Sequence, residues 1–82
     1  MLITKILQYR YINNSDIDIE IKCQFRDLKI YDHAGKEILR YSYQNTNHIT
    51  ITSEDLSPGV YIAELTNSNG EPITKRKFVK PH

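Results

Sequence analysis

Asp16-Ile17-Asp18-Ile19-Glu20-Ile21-Lys22-Cys23 alternates without a break: the three isoleucines and Cys23 share one side of an extended chain, and Asp16, Asp18, Glu20 and Lys22 share the other. A period of two belongs to a β-strand, whose successive side chains point to opposite faces of a sheet. The stretch therefore reads as a half-buried strand, with Cys23 as a small buried hydrophobe in its apolar row. Such a strand needs partners of the same period to cover its apolar side. They are present in Leu28 to Tyr31, in Leu39, Tyr41 and Tyr43, in Ile49 and Ile51, and in Tyr61, Ala63 and Leu65. A weaker, more charged run extends from Ile73 to Val79. At the N-terminus, Leu2, Ile3, Ile6 and Leu7 suit a helical face as well as a strand, whereas Tyr9-Arg10-Tyr11-Ile12 reads as β.

Turn chemistry separates these runs: Asn13-Asn14-Ser15-Asp16, Asp32-His33-Ala34-Gly35, Asn45-Thr46-Asn47, Ser57-Pro58-Gly59 and Asn67-Ser68-Asn69-Gly70. In two of them an Asp or Asn is followed three residues later by Gly, which suits a type I turn closed by a left-handed glycine. Tyr31 to Leu39 and Leu65 to Ile73 are accordingly expected to be hairpins. The spacing predicts strands near 3–12, 17–24, 27–32, 36–43, 47–52, 59–66 and 73–79. Seven short strands in 82 residues point to an all-β chain folded as an immunoglobulin-like antiparallel sandwich. Residues 15–82 form that sandwich, and residues 1–14 are an N-terminal extension or its first strand. A chain of this length buries only about 60–65% of its unfolded surface, so its apolar residues are taken up by packing and little remains for a deep cavity.

Composition excludes several function classes. Eleven Lys and Arg against ten Asp and Glu leave a net charge of +1, which argues against a surface that tracks nucleic-acid phosphates. The lone Cys23 cannot form an internal disulfide. No run approaches the roughly 20 apolar residues of a membrane-spanning helix, and residues 1–12, broken by Lys5, Gln8 and Arg10, do not read as an export signal. His33, His48 and His82 fall in a turn, at a strand start and at the terminus without ligand spacing, so they read as solvated side chains and no metal or other cofactor is expected. Asp16, Asp18 and Glu20 could in principle recruit a hard cation, but an acidic row facing a basic neighbouring strand explains them better. No nucleophile, acid and base converge in sequence and there is no phosphate-binding glycine loop, so the chain reads as non-enzymatic.

The basic cluster Lys75-Arg76-Lys77 with Lys80 reads as edge protection on a terminal strand, with a polyanion site as the alternative. The surface tyrosines Tyr9, Tyr11, Tyr41 and Tyr43 read as cross-strand packing, or else as contacts of an accessory module binding a protein or glycan. An exposed edge could also pair with a second copy, giving a homodimer. In Leu56-Ser57-Pro58-Gly59-Val60-Tyr61, Pro58 presets a turn, Gly59 allows the reversal, Leu56 can plug the sandwich end, and the Tyr61 hydroxyl can reach an upstream carbonyl as in a tyrosine corner.

Three motifs occur in order: Leu28-Lys29-Ile30-Tyr31-Asp32-His33-Ala34-Gly35-Lys36-Glu37, the Leu56 to Tyr61 corner, and Lys75-Arg76-Lys77-Phe78-Val79-Lys80. Together, over about residues 15–80, they resemble the C-terminal sorting domain of type IX secretion system cargo from Bacteroidetes. Nothing before Ser15 matches the Tyr-Pro-Asn-Pro-like start usual in that family. The resemblance implies a small sandwich appended to a secreted protein, recognised by an outer-membrane translocon and removed by a sortase-like peptidase, so that cargo passes through the periplasm to the cell surface or the medium. It maps Asp32, Gly35 and Lys36 onto the family's hairpin motif, Pro58, Gly59 and Tyr61 onto its corner, and Lys77 and Lys80 onto its terminal basic strand. Lys36, Lys77 and Lys80 are then the expected exposed recognition residues. The chain is expected to be part of a larger protein, or else a stand-alone sandwich with similar turns.

Overall fold

Isoleucine at every second position makes β2 (Ile17–Ile21) the spine of one sheet. Its three isoleucines are buried to 1% exposure or less, and each fully buried side chain contributes about 1.5–3 kcal/mol of transfer free energy. The computed structural model describes residues 6–13, 15–42, 47–52 and 54–81. Antiparallel to β2 lie β1 (Leu7–Tyr11), with Tyr9 opposite Ile19, and β5 (His48–Ile51), with Ile49 opposite Ile19. The second sheet holds β3 (Asp27–Asp32), β4 (Glu37–Ser42), β6 (Gly59–Thr66) and β7 (Pro72–Lys80). Its order is β4-β3-β6-β7, against β1-β2-β5 in the first.

The described residues therefore form an all-β sandwich of seven strands, as the alternation predicts. The fourth strand pairs with β3, in contrast to the constant-type immunoglobulin arrangement, where it joins the other sheet. Leu7, Ile17, Ile19, Ile21, Ile49 and Ile51 from one sheet meet Leu28, Ile30, Tyr61, Ala63, Leu65 and Phe78 from the other, and Phe25 and Leu56 add to the core.

Several local expectations shift. The first strand spans Leu7–Tyr11, shorter than 3–12, and residues 1–5 lie outside the described residues. β2 ends at Ile21: Lys22 N–H still donates to the Ile6 carbonyl beside β1 at 2.8 Å, but by Arg26, whose N–H donates to the Thr66 carbonyl at 2.7 Å, the chain has reached the second sheet. Cys23 thus lies beyond the strand, half-buried against the core, and burial pushes its thiol pKa up. His48 is not a free loop side chain. Its Nδ1 lies 3.1 Å from Asp18 Oδ2, and Arg10 Nε approaches the same oxygen at 3.5 Å, which accounts for an aspartate buried on the nominally wet side of β2. Tyr9 and Tyr41 pack against the core, Tyr11 is exposed, and Tyr43 and His82 lie outside the described residues.

Candidate functional site

The β3–β4 turn is built around Asp32. Its Oδ1 accepts hydrogen bonds from the backbone N–H groups of Ala34 and Lys36, both at 2.9 Å, while Gly35 N–H donates to the Asp32 carbonyl at 3.0 Å. Gly35 closes the turn at φ +85°, a conformation that costs most other residues about 1–2 kcal/mol. The carboxylate is held below its ordinary pKa, chiefly by the Lys36 N–H, then by that of Ala34 and by the charges of His33 and Lys36. Lys36 projects into solvent just past the turn.

The corner at Pro58 and Gly59 turns the chain into β6. Tyr61 Oη donates to the Ser57 carbonyl at 2.6 Å, as the tyrosine-corner reading expects, and its ring stacks on Phe78 at 5.8 Å. Leu56 is buried at the sandwich end, while Pro58 remains exposed.

On β7 the pleat divides the basic cluster, and here the sequence expectation needs correction. Thr74, Arg76, Phe78 and Lys80 pair with Leu65, Ala63, Tyr61 and Gly59 on the inward side, leaving Lys75, Lys77 and Val79 outward. Lys77 is exposed, but Lys80 is only 2% exposed and its Nζ has a single backbone acceptor, the Pro81 carbonyl at 3.5 Å. Arg76 likewise turns inward, with its guanidinium carbon 5.5 Å from the centre of the Tyr9 ring. Two of the four cations therefore pack inward, and Lys80 is not the exposed contact the motif suggested.

Register brings the three motifs together. Asp32 faces Tyr61 across β3–β6, and Gly59 faces Lys80 across β6–β7, so the hairpin turn, the corner and the end of β7 meet at one end of the four-stranded sheet. Lys77, opposite Ile62, stands on the outer face a short way along that sheet. The same face holds a group that sequence reasoning missed: Tyr31 Oη donates to Glu64 Oε1 at 3.0 Å, and Lys75 Nζ lies 3.5 Å from Glu64 Oε2. Burial and the bond to Glu64 push the Tyr31 pKa up. The signal for this group was register, since Glu64 sits between Lys29 and Lys75 once the strands are aligned.

At the opposite end, an open polar cleft of about 670 Å³ is lined by Arg26, Asp27, Arg40, Ser42 and Ser68. Both arginines are engaged there, Arg26 with Asp27 at 3.7 Å and Arg40 with both oxygens of Glu37 at 2.9 and 3.1 Å. Among the described residues no His, Cys, Asp and Glu cluster could hold a metal ion, and no helix is long and apolar enough to cross a membrane. The motif end thus presents the Asp32 turn, the Tyr61 corner and the end of β7 side by side, with Lys36 and Lys77 exposed.

No curated protein and no solved structure matches the chain. Residues 13–80 match the secretion system C-terminal sorting domain, a span that takes in the hairpin turn, the corner and all of β7. The chain belongs to the family of type IX secretion C-terminal sorting domains, which is not an enzyme family and whose members direct export to the cell surface or the medium.

Proposed function

We propose that the domain acts as a detachable address label: the type IX translocon reads its motif end, a sortase-like peptidase then removes it, and the cargo joined to it reaches the outer membrane surface. The observation that carries this reading is the convergence of the three family motifs at one end of the four-stranded sheet, although 18 and 13 residues separate them in sequence. Asp32, Gly35, Pro58, Gly59 and Tyr61 hold the surface in shape, and Lys36 and Lys77 are its exposed contacts. Lys80 supports the end of β7 from inside.

The test is to fuse residues 1–82 behind a signal peptide and a reporter in a host with an intact type IX system. Surface or extracellular reporter is expected, and its loss in a strain lacking the translocon. A reporter that stays periplasmic in the intact strain overturns the sorting reading. Within a working fusion, Lys36→Glu with Lys77→Glu is expected to reduce export while the purified domain keeps its unfolding midpoint, because both side chains are solvent-exposed.

A further inference from the structure

The four-stranded sheet ends in β7, the longest strand, and three observations fix the direction of its backbone groups. Thr66 C=O accepts from Arg26 N–H on the β3 side, so the Thr66–Pro72 pair is not hydrogen-bonded across β6–β7. The ladder shifts by one residue between Leu65 and Thr66, placing Ile73 as a bulge, and from Thr74 to Lys80 it runs regularly. At the far end, Tyr11 Oη donates to the Val79 carbonyl at 2.9 Å from outside the sheet. Both ends give the same parity: the N–H and C=O groups of Lys75, Lys77 and Val79 point away from β6. Pro72, which has no N–H, occupies a position of that same outward set.

The other edges are blunted. β5 has four residues, β4 is bulged opposite Tyr31, and β1 has five residues whose Tyr9 and Tyr11 lean onto Phe78 and Val79. β7 remains regular from Thr74 onward; β1 lies beside its Phe78 and Val79 end, and among the described residues Lys75 and Lys77 are the charged side chains on its outer face. We propose that this edge takes up an extended segment of a partner protein that carries acidic side chains at alternate positions, adding a fifth strand to the sheet. The segment bonds to the N–H and C=O groups of Lys75 and Lys77. The lysines select its charge: Lys75 is shared with Glu64, whereas Lys77 has no ion pair among the described residues. A second copy is disfavoured, because antiparallel β7–β7 pairing would set one lysine row against another. This deepens the sorting reading by naming the chemistry of the recognised partner, and its biological meaning rests on that reading.

The experiment uses the full chain and two seven-residue peptides, one alternating threonine with glutamate and one alternating threonine with lysine, with amide chemical shifts and hydrogen exchange as readouts. The glutamate peptide is expected to bind at least about tenfold more tightly at low salt and to protect the amides of Lys75 and Lys77. Lys77→Pro removes an outward N–H without touching the β6 ladder, so it is expected to keep the fold and lose the peptide. If that variant does not fold, Lys77→Glu serves instead and is expected to shift preference toward the lysine peptide. Equal binding of both peptides, no binding of either, protection on β4 or β5, or a folded Lys77→Pro that binds like the original would each overturn the proposal. In the export fusion, an original that is exported together with an equally exported Lys77→Pro overturns the edge site and leaves the sorting reading standing. Failure of the original to be exported overturns the sorting reading, while the peptide result still decides the edge.

Discussion

The two hairpins of the four-stranded sheet close with the same turn yet contribute differently to the protein. Asp32 with Gly35 and Asn67 with Gly70 form matching networks. Each side-chain Oδ1 accepts from the N–H groups two and four residues on, and each glycine sits near φ +80–85°. The strands returning from the two turns differ. β4 is an edge of alternating exposed and half-buried residues, broken by a bulge and tied by the Glu37–Arg40 pair, whereas β7 inserts Phe78, 1% exposed, between Tyr61 and Tyr9. The turn fixes the register of a hairpin, and the inward row of the returning strand decides how much the hairpin stabilises.

The sharpest way to break this comparison is at matched inward positions. Phe78→Ala is expected to cost about 3–5 kcal/mol, close to the whole stability of a domain this small. Leu39→Ala, at a half-buried site on β4, is expected to cost about 1–2 kcal/mol. Urea unfolding reads both, and equal losses would mean that β4 is as much a core strand as β7. Next in size are Gly35→Ala and Gly70→Ala. No atom lies within 4 Å of an added Cβ at either site, so only backbone strain remains, about 1–2 kcal/mol and alike in the two turns. Export separates what stability does not: the Gly35 turn lies at the motif end and the Gly70 turn at the other.

Alternation made the strands and the sandwich legible, because period two runs through Ile17 to Ile21, Leu28 to Tyr31, Ile49 to Ile51 and Tyr61 to Leu65. The turns were legible from Asp, Asn and Gly spacing, and the corner from Pro58, Gly59 and Tyr61. Lys80 was not. A lysine near a chain end reads as solvated until the pleat is fixed, and that required the one-residue bulge at Ile73, which no local pattern announces. A smaller contrast lies within the same strand: Lys77→Ala is expected to move stability by at most about 0.5 kcal/mol. Lys80→Met keeps the buried stem and removes an ammonium with one long hydrogen bond, so it is expected to be neutral or stabilising. A marked loss with Lys80→Met would show that the ammonium itself holds the end of β7.

The smallest effect distinguishes the turns by proton rather than by packing. Asp32 and Asn67 present the same acceptor to the same pair of backbone donors, but only Asp32 titrates. Because the Lys36 and Ala34 N–H groups hold its folded-state pKa below the unfolded value, its contribution is fully present above the ordinary carboxylate range. That contribution fades as pH falls through the folded pKa, when the protonated oxygen becomes a poorer acceptor. Asp32→Asn copies the Asn67 turn and is expected to flatten this part of the acid limb of a stability–pH curve without changing its neutral plateau much. Asn67→Asp is expected to steepen the limb by installing a second such group. Glu37, lowered chiefly by its hydrogen bonds from Arg40, titrates in the same direction and stays in place in both variants, so the difference between curves isolates the turn. Identical acid limbs in all three proteins would mean that the turn donors bind a neutral side-chain oxygen as well as a carboxylate, and that the two turns are equivalent in charge as well as in shape.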